Sequence, residues 1–438
     1  MLLLGCGVGA QPDVRPPSDA AASEAIRAIL SGEQPDLHRP AALALVRDSV
    51  AVLYGPAPAL LWTRDGRPTT QAAAALRALE ESGAHGLTPG DFDAGWLRRT
   101  LDARAAGPAA APADLAVFDV SLSAELLRYL RAVHHGRVRP ADVGFDYHVD
   151  LQGDDLGTRL RAALAEEAVE RLTAAVEPRF AQYARLKRAL ARHRALPPGA
   201  ETRAGILKIE LALERLRWLP HAPDGRFLVA NVPAFRVVAL RSAADERPAL
   251  QMAIVVGRAA RTQTPLFAGE ISTVVFRPSW FPPPSILRNE IVPRLGRDPG
   301  YLRREHMDIV SDTTDKSPAL PLNAANLAGL RAGRLAIRQN PGAHNSLGLV
   351  KFVFPNDYRV YMHDTPARAL FARPRRDFSH GCIRVERPAA LAEPIHDRLL
   401  GGGVAVRTES SDDPGNAGCR QDHARPHRDH DSRGVLCA

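Results

Sequence analysis

The feature that most constrains the fold is a change in sequence texture near residue 205. Between about residues 40 and 200 the chain is rich in Ala, Leu and Arg, and apolar residues recur at helical spacing, as in 71–80 and 124–133. After residue 205, short β-branched runs such as 227–232 and 252–257 are separated by Gly, Pro and Asp. The 438 residues are enough for a core in each part. The sequence therefore predicts an α+β protein, in which a helical domain precedes a mostly β, sandwich-like domain.

Composition predicts four segments along the chain. Residues 1–35 hold a truncated signal-like start and a tether rich in Pro, Ala, Asp and Ser, 36–204 form the helical domain, and 205–408 form the β domain. The polar stretch 409–438 has too little apolar content for a core and is expected to be disordered. Within the β domain, 282–340 is mixed and partly helical, and an insertion of this size often acts as a lid.

The first six residues, Met-Leu-Leu-Leu-Gly-Cys, resemble the end of a bacterial lipoprotein signal, in which a small residue precedes a lipidated cysteine. The basic part and most of the apolar part of a complete signal are absent, so either the start codon lies too far downstream or the similarity is accidental. We favour the first interpretation, which predicts export to the periplasm or cell envelope and a lipid anchor at Cys6. No run approaches the roughly 18 apolar residues that a membrane-spanning helix needs.

Charge and cysteine spacing narrow the range of partners. The formal charge of +8 suits an acidic polymer or an anionic surface. Zinc-finger spacing, aromatic-basic interleaving and runs of five like charges are absent, which argues against nucleic acid. The cysteines, Cys6, Cys382, Cys419 and Cys437, form no Cys-x-x-Cys pair, although the last two could form a disulfide in an oxidising compartment. We predict neither a metal nor a cofactor.

Cys382 lies within the predicted β domain, and its neighbours favour a reactive thiol. A thiol attacks a carbonyl well only as a thiolate, which needs a neighbouring base or cation. Gly381 permits a tight turn that could aim backbone N–H groups at a developing oxyanion, and Arg384 could hold a substrate carboxylate through two hydrogen bonds. His363, 19 residues upstream at the end of a predicted strand, is the candidate base.

The residues alone leave two other interpretations open. Cys382 could be a buried structural cysteine, and His363 a surface histidine with ordinary hydrogen bonds. Alternatively, His363, His380 and Cys382 could bind zinc, because imidazole and thiolate are usual ligands of that metal.

Two motifs resemble the active-site signature of the L,D-transpeptidases with a YkuD-type catalytic domain: Tyr-Met-His-Asp-Thr-Pro at 361–366 and Ser-His-Gly-Cys-Ile-Arg-Val at 379–385. The similarity covers roughly residues 40–400 and extends to the large YcbB-like subgroup, which has a scaffold domain before the catalytic domain. The further segments that carry it are 85–89, 135–140, 213–220, 229–235, 256–257, 263–265, 278–280, 338–342, 345–348 and 351–356.

The resemblance implies a role for each matching residue. Cys382 would be the nucleophile and His363 the general base, with the backbone carbonyl of Asp364 orienting the imidazole. The backbone N–H groups of Gly381 and Cys382 would form part of the oxyanion hole. Arg384 would position the donor peptide. The other substrate-binding residues would be Ser379, His380 and Trp280.

The implied reaction is peptidoglycan cross-linking. These enzymes attack the carbonyl of the third residue of a tetrapeptide stem, release the terminal D-alanine, and pass the acyl group to an amine on another stem, which gives a 3→3 cross-link. Carbapenem-type inhibitors are expected to react with the same cysteine. An L,D-carboxypeptidase and a wall-protein attachment enzyme are alternatives that use the same acyl-enzyme, with water or a protein lysine as the acceptor. A non-catalytic wall-binding scaffold is a further alternative, against which the intact motifs argue.

The chain departs from the subgroup pattern in two places. A small peptidoglycan-binding module usually separates the two domains, whereas only a short join at 196–199 occupies that position. Arg277 and Phe281 stand where asparagines are more common, so we expect recognition of the donor or the acceptor to differ.

Overall fold

The computed structural model describes residues 17–33, 37–107, 110–144, 155–219, 225–399, 405–408 and 435–437. These residues belong to two compact units, which divide along the chain at residue 220. Cys6 and Cys419, and with them the predicted lipid anchor and disulfide, lie outside the described residues. Across the described ranges, no helix is both long enough and apolar enough to cross a bilayer.

The first unit is helical and is built around one long, largely buried helix, α6. Its helices are α1 (Pro17–Ser31), α2 (Pro40–Ala44), α3 (Arg47–Tyr54), α4 (Thr70–Glu80), α5 (Ala94–Ala106), α6 (Pro112–His135), α7 (Leu156–Ala165), α8 (Val169–Ala175), α9 (Ala181–Arg194) and α10 (Ala200–Arg217). A short hairpin and three 3₁₀ helices complete it: β1 (Thr63–Arg64), β2 (Arg67–Pro68), Glu81–His85, Pro89–Phe92 and Pro140–Val143. α6 begins at Pro112, whose missing N–H suits a first helical turn, and ends before Gly136, whose φ is +85°.

The structure moves two of the predicted boundaries of this unit. Composition predicts a tether over 1–35, but residues 17–31 form α1, because Ile26 and Ile29 are buried in the core of the unit. The boundary predicted at residue 204 falls inside α10, which continues to Arg217.

The second unit contains most of the strands. They are β3 (Phe227–Asn231), β4 (Arg236–Leu240), β5 (Leu250–Gly257), β6 (Phe267–Gly269), β7 (Thr273–Phe276), β8 (Met307–Val310), β9 (Ala336–Gln339), β10 (Val350–Val353), β11 (Met362–His363), β12 (Asp377–Ser379), β13 (Ile383–Val385), β14 (Ala405–Thr408) and β15 (Val435–Cys437). Its helices are α11 (Pro284–Ile286), a π-helical turn (Leu287–Ile291), α12 (Val292–Leu295), α13 (Tyr301–Arg304), α14 (Ala324–Arg331), a 3₁₀ helix (Arg368–Ala372) and α15 (Pro388–Leu399).

Eleven of the described strands form one sheet. Ten lie in the order β14-β7-β10-β11-β13-β5-β4-β3-β15-β6, and β12 pairs with β5 outside this path. β13 is parallel to β11 on one side and antiparallel to β5 on the other. The core of the unit includes Ile254, Val274, Phe352, Met362 and Ile383. The α+β class predicted from the sequence is confirmed.

The segment predicted to be a lid, 282–340, contains α11 to α14 and the antiparallel pair of β8 and β9. It has a small apolar core of its own around Leu287, Ile309 and Leu330. The insertion is therefore a small subdomain, and its action as a lid stays a prediction.

The predicted tail contains one strand within its described residues. Residues 435–437 form β15, which pairs with both β3 and β6 and so differs from the expected disorder. Strand edges present unpaired backbone groups, and a short segment can satisfy them whatever its composition. Residues 409–434, the larger part of the predicted tail, lie outside the described residues.

Candidate active site

The candidate residues converge because two short strands pair in one register. β11 and β13 are parallel, with Met362 opposite Ile383 and His363 opposite Arg384. Successive side chains of a strand point to opposite faces of a sheet. Met362 and Ile383 are fully buried in the core, so His363 and Arg384 point to the other face.

The same register places Tyr361 opposite Cys382, one residue before those pairs, with both side chains on the face away from the core. On the other side of β11, Lys351 of β10 is paired with His363. Side chains from both predicted motifs therefore share one face of three neighbouring strands, and a lysine joins them.

This polar face lines an open cavity of about 640 Å³. The insertion contributes further lining through Ile286, Glu290, Arg294 and Glu305. Ligand sites in proteins are commonly cavities of this size with a few convergent polar groups. The predicted or newly found site residues that line it are Trp280, Tyr361, His363, Ser379, His380, Cys382 and Arg384.

Hydrogen bonds from a neighbouring loop hold the turn that carries Cys382. Gly381 has a φ of +122°, which residues with a Cβ rarely adopt. Its carbonyl accepts a hydrogen bond from the Thr264 hydroxyl (2.8 Å), and this hydroxyl accepts one from the Gly257 N–H (2.9 Å). The backbone around Cys382 is therefore fixed before a substrate binds.

The N–H of Gly381, one of the two predicted oxyanion donors, is hydrogen-bonded within the turn. This N–H donates to the Ser379 hydroxyl (3.1 Å), which itself donates to the Cys382 carbonyl (2.5 Å). An N–H that is paired inside the turn is not available to an oxyanion in this conformation. Ser379 therefore holds the turn as well as lining the cavity. The N–H of Cys382, the other predicted donor, has no hydrogen-bond acceptor among the described residues, and its role at an oxyanion stays a prediction.

The Cys382 sulfur is half-buried and lies beside Tyr361. Burial raises the pKa of the thiol, while hydrogen bonds from the Tyr361 N–H and hydroxyl, and the charges of two nearby cations, act in the opposite direction. The sulfur lies 4.0 Å from the carbonyl oxygen of Arg359. In the described part of the chain no hydrogen bond joins it to His363. The resting thiol is therefore protonated, and it needs a base to become a nucleophile.

His363 is buried and has the properties of a base that is neutral at pH 7. Its Nδ1 lies 2.5 Å from the carbonyl oxygen of Asp364; because a carbonyl only accepts hydrogen bonds, Nδ1 carries the proton and Nε2 the lone pair. Burial, and then the charge of Arg384, lower the pKa of His363 to about 3, against upward effects from the carbonyls of Asp364 and Leu347. The predicted contact from the Asp364 carbonyl is thus present, and its catalytic role stays a prediction.

The carboxylate of Asp364 fixes the loop before β10. One of its oxygens accepts a hydrogen bond from the Leu349 N–H (2.9 Å), and the other lies 3.2 Å from the Arg368 guanidinium. Gly348 has a φ of +62°, and a Cβ at this position would come within 2.4 Å of the carboxyl group. The carboxylate of Asp364 therefore contacts Leu349 and Arg368, whereas its carbonyl contacts His363.

Tyr361 is a site residue to which the sequence assigns no role. Burial, and then the charge of a Cys382 thiolate, raise the pKa of Tyr361, so the phenol stays protonated and can donate to the sulfur. The Trp280 side chain hydrogen-bonds to the same phenol, and Lys351 Nζ lies 4.4 Å from the centroid of the ring. Trp280 therefore contacts the site through Tyr361 as well as lining the cavity. Tyr361 lies in the first motif, but only the register of β11 on β13 brings it next to Cys382.

Two other predicted pocket residues, Arg384 and His380, differ in whether their side-chain nitrogens have hydrogen-bond partners. Arg384 is half-buried, this burial lowers its pKa, and among the described residues its buried Nε has no hydrogen-bond partner. Such a guanidinium at a cavity can bind a carboxylate or a carbonyl. His380 is more exposed, and its Nε2 lies 2.8 Å from Glu290. This contact connects the turn that carries Cys382 to the insertion.

The zinc interpretation has no geometric support. The described residues contain no group of three or more His, Cys, Asp and Glu side chains that could hold a metal ion. His363 is hydrogen-bonded to a backbone carbonyl, and His380 to a carboxylate of the insertion.

Comparison with known proteins agrees with the two units. Residues 48–190 match the family model of the Scaffold domain, and residues 225–398 match that of the L,D-transpeptidase catalytic domain, YkuD. A curated protein of Haemophilus influenzae named "Putative L,D-transpeptidase" is 30% identical over 185 residues. The similar region covers 42% of this chain and 36% of that protein, so the chain spans little more than a third of its relative.

Proposed function

This chain carries a YkuD-type L,D-transpeptidase catalytic domain behind a Scaffold domain, and on that premise we propose that it forms 3→3 cross-links in peptidoglycan. The donor is a tetrapeptide stem, the acceptor is an amine on a second stem, and Cys382 carries the acyl group between them. The observation that best supports this proposal is the single face on which Tyr361, His363, Cys382 and Arg384 meet at an open cavity.

In the first step, Nε2 of His363 accepts the proton of the Cys382 thiol, and the thiolate attacks the carbonyl carbon of the third stem residue. This step requires a neutral imidazole, which burial favours. Negative charge develops on the carbonyl oxygen, where the Cys382 N–H and the Tyr361 hydroxyl can donate hydrogen bonds. The imidazolium then gives its proton to the nitrogen of the departing D-alanine, and a thioester remains on Cys382.

In the second step, an amine attacks the thioester, His363 accepts a proton from the amine nitrogen, and the Cys382 thiolate leaves and is protonated again. The unpaired Nε of Arg384 supports a role in holding the donor peptide during both steps. Water or a protein lysine could react with the same thioester. These acceptors would give a tripeptide or a protein attached to the wall.

The proposed substrate requires the catalytic unit to act in the cell envelope. Peptidoglycan lies outside the cytoplasmic membrane, so we extend the proposal to export into the periplasm. Lipidation at Cys6 stays a prediction from the sequence.

The products formed from muropeptides with tetrapeptide stems test the proposed function. We expect 3→3 cross-linked dimers together with free D-alanine. Tripeptides without dimers would identify a carboxypeptidase, and a protein joined to the peptide would identify an attachment enzyme. Binding without release of D-alanine would contradict an enzymatic function and leave a wall-binding scaffold. Cys382→Ala is the matched control, because it removes the sulfur and leaves the other cavity residues in place.

A further inference from the structure

One face of α10 is exposed and has no part in the proposed chemistry. The exposed positions of this helix are spaced by three and four residues, so they lie on one side of it; they are 200, 201, 203, 204, 207, 208, 211 and 215. Leu207 and Leu211 lie one turn apart on this side and are 65% and 48% exposed. Leu207 is the most exposed large apolar residue in the described part of the chain.

Basic residues border these leucines on both sides. At 100° per residue, Leu207 and Leu211 lie near the middle of the exposed arc, Arg203 lies at one edge, and Lys208 and Arg215 lie toward the other. We call this set of five residues the basic-leucine face. Long cationic side chains at the edges of an apolar strip can reach outward while their stems pack against it.

The acidic residues of α10 lie mostly elsewhere. Glu210 pairs with Arg194 of α9 (2.9 Å), and Glu214 pairs with the buried Arg217 (2.9 Å). Of the exposed positions, only Glu201, in the first turn, is acidic. Apart from Glu201, the charged residues on the exposed side of α10 are therefore basic.

The excess of basic over acidic residues extends over the whole helical hairpin formed by α9 and α10, residues 181–217. It contains nine Lys and Arg against three Asp and Glu, a net charge of +6 in a chain whose total is +8. Leu196, in the turn between the two helices, is a third exposed leucine. The hairpin has a separate apolar seam inside it, around Tyr183, Leu190 and Leu213, so the outer leucines are not needed to hold the helices together.

We infer that the basic-leucine face binds an anionic lipid bilayer. A second copy of the chain would bring two hairpins of charge +6 together, which like-charge repulsion opposes. A polar polyanion would bind the cations but would gain nothing from the leucines. An anionic bilayer would bind both the leucines and the cations. The leucines would enter the boundary between headgroups and acyl chains, while Lys and Arg would contact the headgroups. The helix would lie on the surface and would not span it.

Sedimentation of the full-length protein with vesicles tests this inference. We expect binding to vesicles of 7:3 phosphatidylcholine and phosphatidylglycerol, and little binding to phosphatidylcholine alone. Arg203→Gln with Lys208→Gln should weaken binding roughly fivefold for each charge removed. Leu207→Ser with Leu211→Ser should weaken it by about tenfold or more, because both side chains lose their apolar contact with the bilayer.

Leu45→Ser and Arg64→Gln are the matched controls, because Leu45 is 60% exposed and Arg64 is exposed on a different part of the same unit. Both should bind vesicles as the wild type does, and equal losses in the controls would overturn the inference.

The inference would also be overturned if the wild type failed to bind vesicles. The same holds if the leucine variant bound normally while the charge variant did not, since the face would then recognise a polyanion. A concentration-dependent dimer that only the leucine variant abolishes, without vesicle binding, would identify a contact between copies instead. Release of D-alanine from soluble muropeptides should be unchanged in all variants, so failure here is distinct from failure of the proposed function.

Discussion

Each unit buries a histidine whose pKa is lowered to about 3, and the two histidines differ in their surroundings. His85 in the helical unit and His363 in the sheet unit are equally inaccessible, and burial is the main cause of both shifts. Nδ1 of His85 lies 3.0 Å from the Tyr183 hydroxyl, and its Nε2 lies 3.6 Å from the Glu177 carboxylate. His363 has one nitrogen held by a backbone carbonyl, and its ring lines a cavity that also exposes a thiol.

Two arginines repeat this contrast. Arg217 is buried and donates hydrogen bonds to Glu214, to the His85 carbonyl and to Tyr183. Arg384 is half-buried, yet its buried Nε has no partner among the described residues. A buried polar group that lacks a partner costs about 1–3 kcal/mol, and a ligand can supply the partner where the group lines a cavity, as Arg384 does.

Burial and a shifted pKa do not by themselves separate structural from functional groups, and neither does a missing partner, because the buried Nε of Arg104 in the helical unit also lacks one among the described residues. Arg384 differs from Arg104 in that it lines the cavity.

The largest effect is expected at Cys382. Cys382→Ser keeps the shape of the side chain but replaces the thiol by a much weaker nucleophile, so D-alanine release should fall by about 10⁴-fold or more. Thermal unfolding should change little, because the serine hydroxyl can accept the same hydrogen bonds from Tyr361. Release at the wild-type rate, measured with a tetrapeptide donor, would remove Cys382 from the mechanism.

His363 should give the next largest effect. His363→Gln removes the base, and acylation of Cys382 should slow by about 10²–10⁴-fold. The comparison predicts the opposite outcome for His85→Gln, which should leave the acylation rate unchanged. Stopped-flow acylation by a chromogenic β-lactam measures both variants. Similar rate losses in the two, with both folded, would show that a position at the cavity does not distinguish the two histidines.

Tyr361→Phe tests the residue that the register places beside Cys382. It removes one of two proposed oxyanion donors and one hydrogen bond to the sulfur, so kcat should fall by about 10²-fold. Tyr183→Phe is its counterpart in the helical unit and should alter stability rather than kcat, because among the described residues its hydroxyl hydrogen-bonds to His85 and Arg217 and not to a residue of the cavity. Wild-type kcat in Tyr361→Phe would exclude the hydroxyl from the reaction.

The smallest effect concerns stability and depends on pH. The folded-state pKa of His85 is about 3, and the ordinary value is about 6.5, so the unfolded chain binds more protons between these values. The free energy of unfolding should therefore fall as pH decreases from about 6.5 toward 3, and should not change for this reason above 6.5. His85→Gln should reduce this slope by up to about 1.4 kcal/mol per pH unit. Urea unfolding followed by helical circular dichroism measures it, and an unchanged slope would mean that His85 does not titrate as a buried group.

Local patterns made much of the fold and part of the site predictable. Helical spacing and β-branched runs gave the α+β order, and the motifs around His363 and Cys382 identified the candidate pair. Tyr361 could not be assigned a role from the sequence, because its position depends on the register of β11 on β13. The hydrogen bond from the Gly381 N–H to Ser379 could not be predicted from the sequence either, because it depends on the rotamer of the Ser379 side chain inside the turn.

For helix α1, the local composition predicted a tether where the structure has a helix. The Pro, Ala and Ser content of this region is typical of a tether, and a 15-residue helix is marginal in isolation. Burial of Ile26 and Ile29 in the core of the helical unit stabilises it. Contacts that are distant in the sequence therefore decide the structure of this segment.

The mass of the acylated protein tests most directly the claim that Cys382 carries the acyl group. After reaction with a carbapenem, intact-protein mass spectrometry should show one adduct, and peptide mapping should place it on Cys382. Cys382→Ala should show none. An adduct on a different residue, or an adduct of equal yield in the alanine variant, would contradict the claim.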